Sequence, residues 1–335
     1  MADAAGVSIS TASRVLSGSS HPVSPATRDR VLDTADRLGF EPNRVARALA
    51  TARTQTMGVV VHDISDPYFA EIVRGIEDVA GPRDYATFIS SANRDLADEL
   101  ALIRAFAANR VDAIALVASG INDPGYEREV TGLLRRYEER GGVVVKLSEH
   151  PYDAPGVRYD NLTGMAAVVN HLLALGHRRI AHISGPPELM VSEQRTQGYR
   201  DALSEAGVAP DPTLEECGWF SMDGGADAAE TLMARARPTA IVAGNDLMAI
   251  GASRRLLDLG HGVPDQVSIA GFDDIELSSY ASVPLTTVRV PLRELGRLGA
   301  ERILTILDDG PGTASMSEAP VELVVRSSTG PVPTH

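Results

Sequence analysis

From residue 57 onward, short apolar runs alternate with stretches in which apolar residues recur every three or four positions. The runs MGVVV (57–61), YATFIS (85–90), VDAIALV (111–117) and GVVVKL (142–147) read as strands, and the segments 68–80, 95–109 and 125–140 between them read as amphipathic helices. After Asn161 the rhythm returns, with RRIAHIS (178–184), TAIVAG (239–244) and QVSIAGF (266–272) as strands and 192–206 and 246–259 as helices. Strands alternating with helices predict parallel sheets covered on both faces. Two such series predict an α/β body of two doubly wound sheets.

The first fifty residues follow another pattern. In AGVSISTASRVLSG (5–18), Gly6 marks a turn and Ser8 can cap a helix. Ala12, Val15 and Leu16 recur on one face of that helix, leaving Ile9, Ser10, Thr11, Ser13 and Arg14 on the other. Hydroxyls near a helix start can reach phosphates, and an arginine one turn on can fork onto a guanine edge. The same face also fits an ordinary surface helix. A further helix is predicted with Ser24 as cap, Pro25 at its first position, Val31, Leu32, Ala35 and Leu38 as its apolar stripe and Gly39 as its stop. Then PNRVARALA (42–50) offers Asn43 as the cap of one short helix, with Arg44 and Arg47 on a polar side and Ala46 and Leu49 elsewhere. A helix of that length is marginal alone, since isolated helices under about 12–15 residues seldom hold in water.

A chain of 335 residues suits two or three domains. Its net charge of −14 argues against nucleic acid until it is divided by segment. Residues 1–53 hold seven arginines against five carboxylates, a net of +2, so the remaining chain carries −16. An acidic body limits unspecific attraction to a duplex and leaves it to the head. The single cysteine, Cys217, excludes an internal disulfide and reads as a packing residue. No export signal or membrane span of ~18 apolar residues is found, so a soluble, cytoplasmic protein is expected. The common nucleotide, hydrolase and zinc-protease motifs are absent, and the one lysine, Lys146, follows Val145, which excludes the Gly-Lys pair of a P-loop. No enzyme activity, cofactor or metal is expected.

In open α/β sheets ligands collect beyond the carboxyl ends of strands. Asp63 and Asp66 follow MGVVV, Asn245 and Asp246 follow TAIVAG, and Asp273 and Asp274 follow VSIAGF. Helix capping is the plain alternative for each, and Asp246 reads mainly as a cap. Tyr68, Phe69, Trp219 and Phe220 could wall a ring-shaped ligand; core packing is the alternative, favoured for Phe69 and Trp219.

Taken together, AGVSISTASRVLSG, VSPATRDRVLDTADRLGFEPNRVARALAT and MGVVVHDISDPYFAEIVRGIE resemble the lactose and galactose repressor (LacI/GalR) family. The likeness continues through LGHRRIAHISGP (175–186), RTQGYRDAL (195–203), PTAIVAGNDLMAIG (238–251), VPDQVSIAGFDD (263–274) and PLTTVRVP (284–291), nearly the whole chain in order. It implies a helix-turn-helix head at 1–42, a hinge helix and linker at 43–56, and a body resembling periplasmic binding proteins. The first lobe is expected at 57–158 with 286–312, the second at 159–285 with 313–335. Family members begin several residues earlier, so a start upstream of Met1, at a GUG codon, is expected. The resemblance further implies a homodimer or tetramer on a pseudo-palindromic operator. Ile9, Ser10 and Arg14 would set base preference. Thr11, Ser13, His21 and Asn43 would anchor phosphates, and Arg44, Ala46 and Leu49 would enter the minor groove, Leu49 as a wedge.

The resemblance points to Arg195, Asn245 and Asp273 as effector contacts, with Asp66, Tyr68, Phe69 and Phe220 beside them. Guanidinium, amide and carboxylate suit a polyol or sugar ring. LMVSEQ (189–194) lacks the Arg and Thr of purine-binding relatives, which argues against a nucleobase. Two rivals remain open at this point: a solute-binding protein serving a sugar transporter, and a regulator that senses a protein partner.

Overall fold

The computed structural model describes residues 1–16, 21–40, 53–310 and 315–333 and separates Met1–Gln55 from Thr56–His335. In the first unit one helical turn ends at Gly6, whose φ of +64° lets its N–H reach the Asp3 carbonyl (3.1 Å) while Val7 N–H reaches Ala2 (3.1 Å). Ser8 then caps α1 (Ile9–Leu16), its Oγ accepting from Thr11 N–H at 3.1 Å. Helix α2 (Pro25–Arg37) is capped by Ser24 and stopped by Gly39 at φ +57°, as the sequence predicts. Ala5, Val15 and Val31 form the small core. The stripe of α2 differs from expectation: Val31, Thr34 and Ala35 are buried, whereas Leu32 and Leu38 are exposed. At 100° per residue, Leu32 points a quarter-turn away from Val31. The expected hinge helix, with Asn43, Arg44, Ala46 and Leu49, lies outside the described residues.

The second unit carries a six-stranded sheet in the order β11-β5-β4-β3-β1-β2 and a four-stranded sheet in the order β7-β6-β8-β9, both wholly parallel. In the first sheet β1 is Thr56–Val61, β2 Ala86–Ser91, β3 Ala113–Leu116, β4 Val143–Lys146, β5 Gly156–Tyr159 and β11 Met316–Ala319. Helices α3 (Pro67–Ala80), α4 (Leu96–Ala108), α5 (Pro124–Glu138) and α11 (Leu292–Asp309) accompany it. Buried strands such as MGVVV are continuously apolar because helices cover both faces. In the second sheet β6 is Ile180–Ser184, β7 Glu215–Cys217, β8 Ala240–Ala243 and β9 Ser268–Ala270, with α6 (Asn161–Ala174), α7 (Met190–Glu205), α8 (Met222–Arg235), α9 (Asp246–Asp258) and α10 (Glu276–Tyr280). The two doubly wound parallel sheets agree with the sequence pattern. Helix α3 crosses α11 closely enough that a Cβ on Gly75 would sit 1.9 Å from the Arg293 carbonyl oxygen and one on Gly296 2.0 Å from that of Ile72.

The chain passes between the sheets three times: from β5 into α6, from β10 (Thr287–Arg289) into α11, and from β11 into β12 (Glu322–Val324), which pairs antiparallel with β10. The terminal strands divide differently from the expected lobe limits. Strand β11 extends the first sheet beside β5. The segment leading into β10 joins the second, with Thr286 bridged to Ala270. Neither strand is long enough to show a period in the sequence.

Candidate functional site

Residues at or just beyond the carboxyl ends of β1 to β5, β8 and β9 line one cavity, the place where open α/β sheets collect small ligands. The seven residues expected as effector contacts border it: Asp66, Tyr68, Phe69, Arg195, Phe220, Asn245 and Asp273; Asp63, Asp246, Asp274 and Trp219, also singled out in the sequence, do not.

Arg195, on the first turns of α7, is 3% exposed and organises the centre. Its Nε donates to Asn161 Oδ1 (2.9 Å), its Nη1 to the Gly244 carbonyl, and its Nη2 to Tyr159 (3.1 Å) and Asp273 Oδ1 (2.9 Å). The guanidinium also lies 3.9 Å over the Phe272 ring. Tyr159 in turn stands 2.9 Å, oxygen to oxygen, from Tyr68 at the start of α3. One buried cation therefore ties β5, α6, α7, and the ends of β8 and β9 into a continuous polar chain that reaches α3.

The carboxyls around it differ in their commitments. Asp66 caps α3 through Oδ1, accepting from Tyr68 N–H at 3.0 Å, and burial raises its pKa. Asn245, not Asp246, caps α9: its Oδ1 accepts from Met248 N–H at 3.0 Å, which leaves its amide donors to face the cavity. Asp246, read in the sequence as a cap, instead ties down the segment after β9, accepting from Ile275 N–H (2.9 Å), Ser278 (2.6 Å) and Thr287 (2.5 Å). Fully buried, it is pushed up to about 7. Burial pushes Asp273 up to about 8, against the pull of Arg195. Its neighbour Asp274 turns to Arg289 (2.8 Å) and Arg326 (2.6 Å) instead. Asp63 accepts from the Ser65 N–H and hydroxyl at 2.9 and 2.7 Å and is not a lining residue.

Phe69 is 5% exposed and packs edge-on against both Tyr68 and His62, so it serves core and cavity together. Trp219, expected in the core, is 56% exposed next to Phe220, and both adopt positive φ just before α8. The lining also includes His62, Arg94, Ser119, Ser148 and Tyr159, which sequence reasoning passed over. A signal existed: His62, Ser119 and Ser148 each follow a predicted strand, the rule that picked Asp63.

On the first unit, Ile9 is 80% exposed, which removes helix packing as its role, and Ser10, Ser13, Arg14 and His21 are exposed as well. Thr11 is half-buried, with its hydroxyl 2.8 Å from that of Ser8. Among the described residues no three His, Cys, Asp or Glu side chains form a metal-binding group, and no helix is long and apolar enough to cross a membrane.

Residues 1–43 match the model of the lacI family of bacterial regulatory proteins, and residues 169–329 that of a periplasmic binding protein-like domain. Catabolite control protein A of Priestia megaterium is 32% identical over 97% of this chain and 96% of its own. The solved complex of the transcriptional regulator CelR with cellobiose is 32% identical, covers 98% of each chain and superposes with a TM-score of 0.73. The lac repressor dimer bound to operator and the anti-inducer ONPF is 27% identical over 98% of this chain and 97% of its own, with a TM-score of 0.84. The chain belongs to the lacI family of bacterial regulatory proteins, DNA-binding regulators of transcription and not enzymes.

Proposed function

We propose that the protein is a cytoplasmic repressor that grips a pseudo-palindromic operator as a homodimer and changes that grip when a sugar-like effector enters the body cavity. The observation that carries this reading is Arg195: a buried guanidinium joined to Asp273, Tyr159 and Asn161, in a cavity that also offers the Asn245 amide and Asp66. Such an array can hold vicinal hydroxyls, while Tyr68, Phe69 and Phe220 supply apolar faces for the ring. CelR with cellobiose and the lac repressor on its operator support the two halves of the proposal by likeness.

The first lobe would comprise 57–159 with 291–319, the second 160–290 with 320–333, with effector between them. Ile9, Ser10 and Arg14 would read base edges and Thr11, Ser13, His21 and Asn43 would fix the backbone. Arg44, Ala46 and Leu49 would enter the minor groove. A ligand that binds one lobe arrangement better than the other shifts the population of the DNA-competent state by its differential affinity.

The test pairs two measurements on the full chain: thermal shift against a panel of mono- and disaccharides, and promoter-fragment binding with and without each hit. A hit that raises the melting temperature and changes operator affinity is expected. Equal affinity for promoter and random DNA, with or without hits, overturns the reading.

A further inference from the structure

Two polar side chains at the end of the cavity nearest β1 and β2 are left unpaired. His62 is 6% exposed, and neither of its ring nitrogens has a hydrogen-bond partner. Arg94 has a buried Nε without an acceptor and makes no ion pair among the described residues. Unpaired buried donors are costly unless something completes them. The backbone holds both in place. Asn93 and Arg94 adopt φ of 51° and 59°, a strained pair that breaks the chain between β2 and α4, and Asn93 N–H donates to the His62 carbonyl at 2.8 Å.

The nearby acidic groups act on Arg94 through space but spend their hydrogen bonds elsewhere. Asp63 is turned to Ser65 and Asp66 to the start of α3. Arg195, by contrast, has the Asp273 carboxyl group bonded to it. Arg94 is thus a cation facing the cavity with Asp63 and Asp66 near enough to feel its charge but with no carboxylate bonded to it. Its Nε and Nη edge can take a planar carboxylate by two parallel bonds. Burial keeps His62 neutral, with a pKa lowered to about 4, so it offers one donor and one acceptor. One unpaired cation beside Asp66 suits a single negative charge better than the double charge of a phosphate.

We infer that the effector is a sugar acid, its carboxylate seated on Arg94 and His62 and its hydroxyls on Arg195, Asn245 and Asp66. This rests on the reading of the cavity as the effector site. It adds the sign of the ligand's charge and the end at which that charge lies.

The experiment titrates the full chain calorimetrically with D-glucuronate, D-galacturonate, glucose, galactose and glucose 6-phosphate, and repeats each titration on Arg94→Gln and Arg94→Lys, with the unliganded melting temperature as a folding check. At least one uronate should bind more tightly than its neutral counterpart. Arg94→Gln should weaken that binding by about 10- to 100-fold, with Arg94→Lys intermediate because it keeps the charge and loses the fork. A neutral sugar that binds as well as its acid, a preference for the phosphate, or uronate binding indifferent to Arg94→Gln overturns the inference while leaving a sugar-responsive regulator intact. Binding of no compound in the set overturns it together with the reading it rests on.

Discussion

Asp273 and Asp274 are chemically identical neighbours with unlike surroundings. The first faces Arg195 in the cavity, while the second is clamped between Arg289 and Arg326. The sequence places a carboxyl pair after a strand but carries no sign of which will turn inward; arginines distant in the chain, Arg195 on one side and Arg289 and Arg326 on the other, distinguish them. Buried titrating groups also set how stability varies with pH. Asp246 and Asp273, raised to about 7 and about 8, favour folding fully below the ordinary carboxylate pKa, and that contribution is lost as pH rises through 7 and 8. His62 and His182, lowered to about 4, act oppositely: their contribution is present above 6.5 and lost as pH falls through 4. Urea unfolding across pH 4–9 should therefore show a plateau from about 4 to 6.5, where the two effects offset each other, and a decline from there to about 8. Asp246→Asn should flatten the alkaline decline, and an unchanged decline would show that the carboxyl is not the cause. On the head, Arg14→Ala should lower specific operator binding by about 1–3 kcal/mol and relax the preference at one base pair. A uniform loss on all sequences in a gel-shift series would contradict base reading.

At the scale of elements, legibility followed length and period. The β1, α3 and α9 segments were visible because their apolar residues keep one period and Asp or Asn stands at the helix start. Helix α6 was not, since NLTGMAAVVNHLLA buries residues on several sides. Helix α8 was hidden by paired glycines in its first turn. Strands β5, β7 and β10 to β12, of three or four residues, are held by their neighbours rather than by propensity. Nor could the sequence announce the crossing of α3 and α11, where glycine is required by a partner more than 200 residues away. Gly75→Val should cost at least about 2 kcal/mol in urea denaturation, because the side chain meets backbone that cannot yield. A loss below half that figure would mean that the helices can separate cheaply.

For the whole molecule, the division of charge between a basic start and an acidic remainder was readable by counting alone. The meeting of β5, α7 and the ends of β8 and β9 at one guanidinium was not, because it joins residues from Tyr159 to Asp273. A ligand completing that cavity should stabilise the body by about 2.7 kcal/mol at a hundred times its Kd. Asp273→Ala should abolish that gain and the change in operator affinity while operator binding itself persists. Loss of operator binding as well would assign the residue to folding.

Trp219 offers a practical consequence. It is the protein's single tryptophan, and it stands exposed beside Phe220 at the cavity wall. The molecule thus carries its own optical reporter, whose emission wavelength and quenching by iodide can be read without a label. Occupancy could be followed in the unmodified regulator, on DNA or off it, from the light of one indole.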